Sequence, residues 1–246
     1  MKQMMIGLAV LVVFSTGPGL ARDVPTLPAT AKKLDAAGIR TLYHGMRGSF
    51  DNFQNEATLT GEVFYDMDRK VMFGTYNWDN KDKGLFKGKA WIKGDQFCNK
   101  PDKGKQTCTD VYLDGRDYYE TDAKGKVVSA DKILDNPPAL PAGAKPIKAQ
   151  EVLAMVKGKR IFVTIYDYDK PLVADVKWDL KKKKSVGRFI FGGTKEGKAN
   201  AAYVVKNDTI CFPDGGKDNC YAYFQTEDGF WELNDKGAVH GVSTFQ

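Results

Sequence analysis

Two tripeptides set an acid behind paired aromatic rings: Tyr118-Tyr119-Glu120 and Phe230-Trp231-Glu232. Side chains alternate along a strand, so Glu120 shares a face with Tyr118 and lies opposite Tyr119. Glu232 stands in the same relation to Phe230 and Trp231. Rings beside carboxylates suit a sugar or lipid headgroup, with Trp91, Tyr119 and Trp231 stacking on it while Glu120 and Glu232 orient it. The competing reading is structural, with inward aromatics and an outward acid on an edge strand. Histidine chemistry has less to stand on. The two histidines, His44 and His240, each sit beside a glycine and read as surface residues. Tyr166-Asp167-Tyr168-Asp169 reads as a strand with tyrosines on one face and aspartates on the other; it lacks the glycine and distal glutamate of a calcium loop. No Gly-x-Ser-x-Gly elbow, His-Glu-x-x-His, phosphate-binding loop or Gly-x-Gly-x-x-Gly occurs. Catalytic residues, cofactor and metal are therefore assigned as none.

The elements that position these residues come in two copies. Pro28–Cys98 laid over Pro141–Cys211, at a shift of 113 residues without a gap, matches at 16 of 71 positions. Val63-x-x-Asp66-x-x-x-Lys70 returns as Val176-x-x-Asp179-x-x-x-Lys183, and Gly74 as Gly187. Lys93-x-Asp95-x-x-Cys98 returns as Lys206-x-Asp208-x-x-Cys211. One deletion later, Cys108, Tyr119, Glu120 and Gly125 correspond to Cys220, Trp231, Glu232 and Gly237. A period this long is that of a whole small domain rather than a solenoid unit. The expected organisation is a signal peptide over residues 1–21, a first β domain over 24–134, a proline-rich linker over 135–144 and a second β domain over 145–246.

Each copy opens with a short helix and continues in strands. Ala36, Ile39 and Tyr43 fall on one helical face, as do Ala149, Val152 and Val156, and Gly45 and Gly158 supply the stops. Asp35 is a fair N-cap, whereas its counterpart Lys148 is not. Downstream come β-branched and aromatic runs: Thr58–Tyr65, Val71–Tyr76, Lys89–Ile92, Asp110–Leu113, Asp117–Thr121 and Val127–Ser129. The expected fold is mostly β: two similar tandem domains, each a short helix packed on an antiparallel sheet of about six strands, sandwich or small barrel. The Asp66/Asp179 and Asp95/Asp208 pairs fall in predicted turns, where aspartate bonds its own following backbone.

Met5–Phe14 is a short apolar stretch behind Lys2, followed by Gly19-Leu20-Ala21, the pattern of a cleaved leader. It is half the length a bilayer-spanning helix needs, and no transmembrane segment is expected after cleavage. In an oxidising compartment four cysteines in duplicated pairs read as disulfides, and the duplication favours Cys98–Cys108 and Cys211–Cys220.

Each copy resembles the small exported domains of proteobacteria, chiefly alphaproteobacteria, grouped as domain-of-unknown-function family number 995. The resemblance rests on a Pro-Ala-x-Ala-Lys lead-in, a short helix ending in Gly, Gly-Asp-x-x-Cys, a second Cys, and a closing aromatic-aromatic-Glu with Lys-Gly-x-Val. It covers nearly the whole mature chain twice over. Ala90-Trp91 becomes Tyr203-Val204 and Gly94 becomes Asn207 in the second copy. The resemblance implies the fold and export, and the family carries no established activity.

The chain carries 42% hydrophobic and 28% charged residues with a net charge of +6, enough apolar content for a sizeable core. Its basic residues are not interleaved with aromatics, so nucleic acid is not an expected partner. The densest basic run, Lys181–Lys184, reads as a solvated hairpin tip. The expected function is a periplasmic or secreted binding or envelope-associated interaction protein without catalysis, its partner a glycan, a lipid headgroup or an envelope protein. Two alternatives are an enzyme inhibitor presenting the stapled loops Asn99–Thr107 and Phe212–Asn219, and a hydrolase with a site in one copy around His44 or His240.

Overall fold

The computed structural model describes residues 23–54 and 57–245, so the leader-like residues 1–21 lie outside it. The first copy runs β1 (Lys32–Lys33), α1 (Ala36–Tyr43), β2 (Arg47–Asn52), β3 (Leu59–Asp66), β4 (Val71–Trp78), β5 (Asp82–Lys93), β6 (Gln96–Pro101), β7 (Thr107–Asp114), β8 (Asp117–Thr121) and β9 (Val127–Leu134). The second runs β10 (Lys145–Ile147), α2 (Ala149–Val156), β11 (Arg160–Ile165), β12 (Leu172–Asp179), β13 (Lys184–Phe191), β14 (Lys195–Ala202), β15 (Val204–Lys206), β16 (Thr209–Asp214), β17 (Lys217–Gln225), β18 (Gly229–Leu233) and β19 (Val239–Phe245). The duplication is visible element by element: α1, β3 and β4 recur 113 residues on as α2, β12 and β13 with identical lengths.

In the first copy each strand from β2 to β9 pairs antiparallel with the next, and β9 pairs back onto β2. The result is a closed up-and-down barrel of eight strands, with β1 laid on β7. Closure removes the exposed edges that an open sheet would present. The second copy repeats the ring with one difference. Its counterpart of β5 is broken at Tyr203 into β14 and β15, and that continuous stretch of chain closes the ring. Two strands beyond the expected six complete each barrel. In the first copy these are Arg47–Asn52 and Gln96–Pro101, polar, glycine- or proline-containing segments without the β-branched alternation that marks their neighbours.

Alternation fills the interior. Val63, Tyr65, Met72, Ala90, Phe97, Val111 and Tyr118 point inward and meet Ile39 and Tyr43, from a helix that plugs one end. Tyr43 stacks on Phe97 at 4.1 Å, and each ring buried this way contributes about 1.5–3 kcal/mol. Asp35 caps α1 by accepting from Gly38 N at 2.8 Å. Lys148 offers no such cap; instead its own backbone N–H donates to Glu151 Oε2 at 2.8 Å. The two strand glycines Gly74 and Gly187 share a reason. A Cβ at either would lie about 2 Å from a neighbouring backbone carbonyl oxygen, that of Glu62 or Asp175.

The two rings stay separate sheets and pack through their outer faces. The joint is apolar: Phe64, Phe73 and Leu85 of the first barrel meet Phe162, Tyr166, Val173, Ile190 and Val239 of the second, with Trp231 and Val242 packed alongside. Lys87 Nζ bridges to Glu196 Oε1 at 3.2 Å. Asp135, which opens the linker, is tied to the first barrel through Arg47, whose Nη1 donates to its carbonyl oxygen at 2.9 Å. Both disulfides are formed, Cys98–Cys108 across β6 and β7 and Cys211–Cys220 across β16 and β17. Among the described residues no helix is long and apolar enough to cross a membrane.

Candidate functional site

The three duplicated acids take three different posts. Asp66 and Asp179 cap the β3–β4 and β12–β13 turns, accepting from Arg69 N at 2.9 Å and Lys182 N at 3.0 Å. Asp95 and Asp208 hold the helix starts to the hairpins. Ala36 N donates to Asp95 Oδ1 at 2.9 Å, and Ala149 N to the Asp208 carbonyl at 2.8 Å. Glu120 and Glu232 point into the barrels, 7% and 5% exposed. They are neither outward acids nor ligands on an outer surface.

In the first barrel Tyr43 Oη and Thr109 Oγ1 donate to Glu120 at 3.0 and 2.8 Å. Burial raises the Glu120 carboxyl above its ordinary value, and the two hydroxyl donors work against that rise. Asp131 is held well above the ordinary range, first by burial and then by the Glu120 charge. In the second barrel Val156 stands where Tyr43 was, and Tyr221, its ring stacked on His240, where Thr109 was; among the described residues no side-chain hydrogen bond offsets the burial of Glu232. Burial beside Asp167 pushes the Glu232 carboxyl up to about 8.

A β-bulge decides what Glu232 meets instead. Glu232 pairs with Gly241 and Leu233 with Val239, which leaves His240 as the extra residue; in the first barrel Val128 holds that place. The bulge turns the ring inward. His240 is therefore 5% exposed rather than a surface residue. Its Nδ1 lies 2.6 Å from Asp167 Oδ1, its Nε2 lies 4.0 Å from Glu232 Oε2, and its ring stacks on Tyr221 at 3.8 Å. Burial lowers its pKa, and the Asp167 carboxylate opposes the shift. An imidazole between two carboxyls is held in place, its second nitrogen facing the Glu232 carboxyl. Tyr166–Asp169, expected as a strand, is the turn after β11 that brings Asp167 to this ring. His44 is exposed, as expected.

The five residues assigned to a shared surface are not brought together. Trp91 is half-buried on the outside of β5, opposite Cys98 in register. Its counterpart Val204 faces Cys211, and the displaced aromatic, Tyr203, packs inside against Trp178 at 4.9 Å. Trp231 packs into the joint between the barrels. Tyr119 lines a shallow outer cleft of about 210 Å³ together with Ser49, Phe50, Asp51, Asp117, Asp131 and Lys132. The cleft lies where the β2–β9 ladder lapses between Ser49↔Lys132 and Asn52↔Ser129. There Asp131 Oδ1 accepts from Asp51 N at 3.1 Å and from Ser129 Oγ at 2.7 Å. The matching β11–β19 ladder runs unbroken, with Ser243 in place of Asp131. The lapse carries no sequence signal beyond an acid among inward positions.

No protein-family model matches the chain, and no curated protein is similar to it.

Proposed function

We propose that the chain is an exported protein of the periplasm or cell exterior that works by binding rather than catalysis, with the outer face of the first barrel as its working surface. The observation that carries this reading is the fate of one repeated face. In the second barrel the face around Phe162, Trp231 and Val242 is a docking face, covered by the first barrel. The same positions of the first barrel, Ser49, Tyr119 and Ala130, line the open cleft. The two glutamates shared by both copies support the same reading, because both are enclosed by packed side chains. Export is supported by the leader pattern of residues 1–21 and by two disulfides.

The test is binding of the purified mature chain to envelope glycans, lipid vesicles and envelope proteins, each with wild type and Tyr119→Ala. Binding lost in Tyr119→Ala, with melting unchanged, supports the reading. Binding that ignores Tyr119, or none to any of the three and none to a second copy of the chain, overturns it.

A further inference from the structure

The joint between the barrels is made of unlike faces. The first barrel contributes β3, β4 and β5; the second contributes β11, β12, β13, β18 and β19. Such a heterologous contact leaves one face of each kind outside the joint, a receiving face on the first barrel and an inserting face on the second. Resting on the reading of the first barrel's outer face as a working surface, we propose that its occupant is the second barrel of another copy, docked head to tail as the two barrels dock within the chain.

Contact by contact, these two faces differ from the joined ones. Inside the chain Phe73 presses on the Gly193 turn, where a Cβ would come 2.8 Å from the ring. The equivalent external pair is Val186 against Asn80: the inserting residue has shrunk and the receiving one has gained a side chain. Arg69 lies against Gly192, its Nη1 3.4 Å from where a Cβ would stand. The equivalent pair is Lys182 against Asp79, opposite charges where the joint inside has glycine. Phe64 faces Tyr166 at 6.3 Å; its equivalent is Lys177 facing Phe53, a cation toward a ring. Around these pairs the receiving face carries Asp51, Asp79 and Asp117, the last 4.0 Å from Lys132. The inserting face carries Lys177, Arg188 and Lys198, all exposed, with Asp175 held by Arg160 and Arg188. Its shallow cleft of about 390 Å³ is lined by Lys177, Val186, Gly187 and Arg188. The Lys87–Glu196 bridge has no counterpart, since Asn200 and Lys83 stand there.

The large apolar side chains of the inner joint are thus replaced by polar and charged ones, with Lys182 and Asp79 as an opposite-charge pair. The association these faces support is salt-sensitive and weaker than the joint inside the chain. It also assigns a role to the exposed basic run at the β12–β13 tip, which holds Lys182.

Sedimentation of the mature chain tests this at rising concentration, in about 20 mM and about 500 mM salt. The expected result is a mass above that of one chain at low salt, reverting to one chain at high salt. The variant Lys177→Glu/Lys182→Glu stays a single chain yet keeps its receiving face. In excess over labelled wild type it therefore caps growth at a one-to-one dimer. Wild type that remains a single chain throughout, or a double variant that associates as wild type does, overturns the inference. If either occurs while Tyr119-dependent binding of another partner persists, the proposed function stands and only the second copy is excluded as occupant.

Discussion

Tyr119 and Trp231 occupy one position of the repeat, yet Trp231 is packed between the barrels while Tyr119 lines an open cleft. Both lie on the outer faces of their strands, opposite an inward glutamate in the next position. What separates them is the neighbour that each face has acquired. Trp231→Ala should therefore loosen the joint and destabilise the chain by about 2–4 kcal/mol. Tyr119→Ala should change stability by less than about 0.5 kcal/mol. Denaturant unfolding of the two variants side by side measures both.

The repeat predicts matched damage at Gly74 and Gly187. Alanine at either forces a Cβ onto a carbonyl oxygen across the β3–β4 or β12–β13 ladder. Each substitution should lower the melting temperature strongly, whereas Gly94→Ala, where nothing lies within 4 Å and only the positive φ is strained, should cost about 1 kcal/mol. Calorimetry of the three variants checks the order.

Each disulfide closes a loop within its own barrel, at sequence separations of 10 and 9. Loop-closure entropy puts the contribution of each near 2–3 kcal/mol. Replacing either pair by serine should lower stability by that amount while leaving the other bridge formed. Mass mapping of non-reduced digests, alongside unfolding curves, reads both outcomes.

Glu232 makes stability depend on pH. Its folded pKa, about 8, lies above the ordinary 4.5. Protonation is therefore favoured by folding; the contribution is complete below about 4.5 and is lost as pH rises through about 8. Within that window it falls by up to about 1.4 kcal/mol per pH unit. The lowered His240 acts in the opposite sense, with its contribution lost as pH falls. Glu232→Gln should melt higher than wild type at pH 8.5 and close to wild type at pH 4, as a thermal melt series across that range would show.

Much of the fold was legible because the repeat doubled every signal. The helix faces, the glycine stops, the turn aspartates and both disulfide pairs lie where pattern and copy agree. Arg47–Asn52 and Gln96–Pro101 were not legible, since ring closure rather than local propensity makes them strands. The placement of His240 depends on a bulge whose presence no single residue announces, and that of Asp167 on the turn after β11. The inward direction of Glu120 and Glu232 follows from their sharing a face with Tyr118 and Phe230, once those rings are known to be core. Which outer aromatic is covered was beyond local pattern, because that depends on how two barrels meet.

The barrels join by unlike faces, and the Lys87–Glu196 contact at 3.2 Å tests this directly. Zero-length carbodiimide coupling of dilute mature chain, followed by peptide mass mapping, should find an amide between Lys87 and Glu196 within single molecules. A map in which Lys87 couples to Asp102 of its own barrel, 3.8 Å away, and never to Glu196 would contradict this packing of the two barrels.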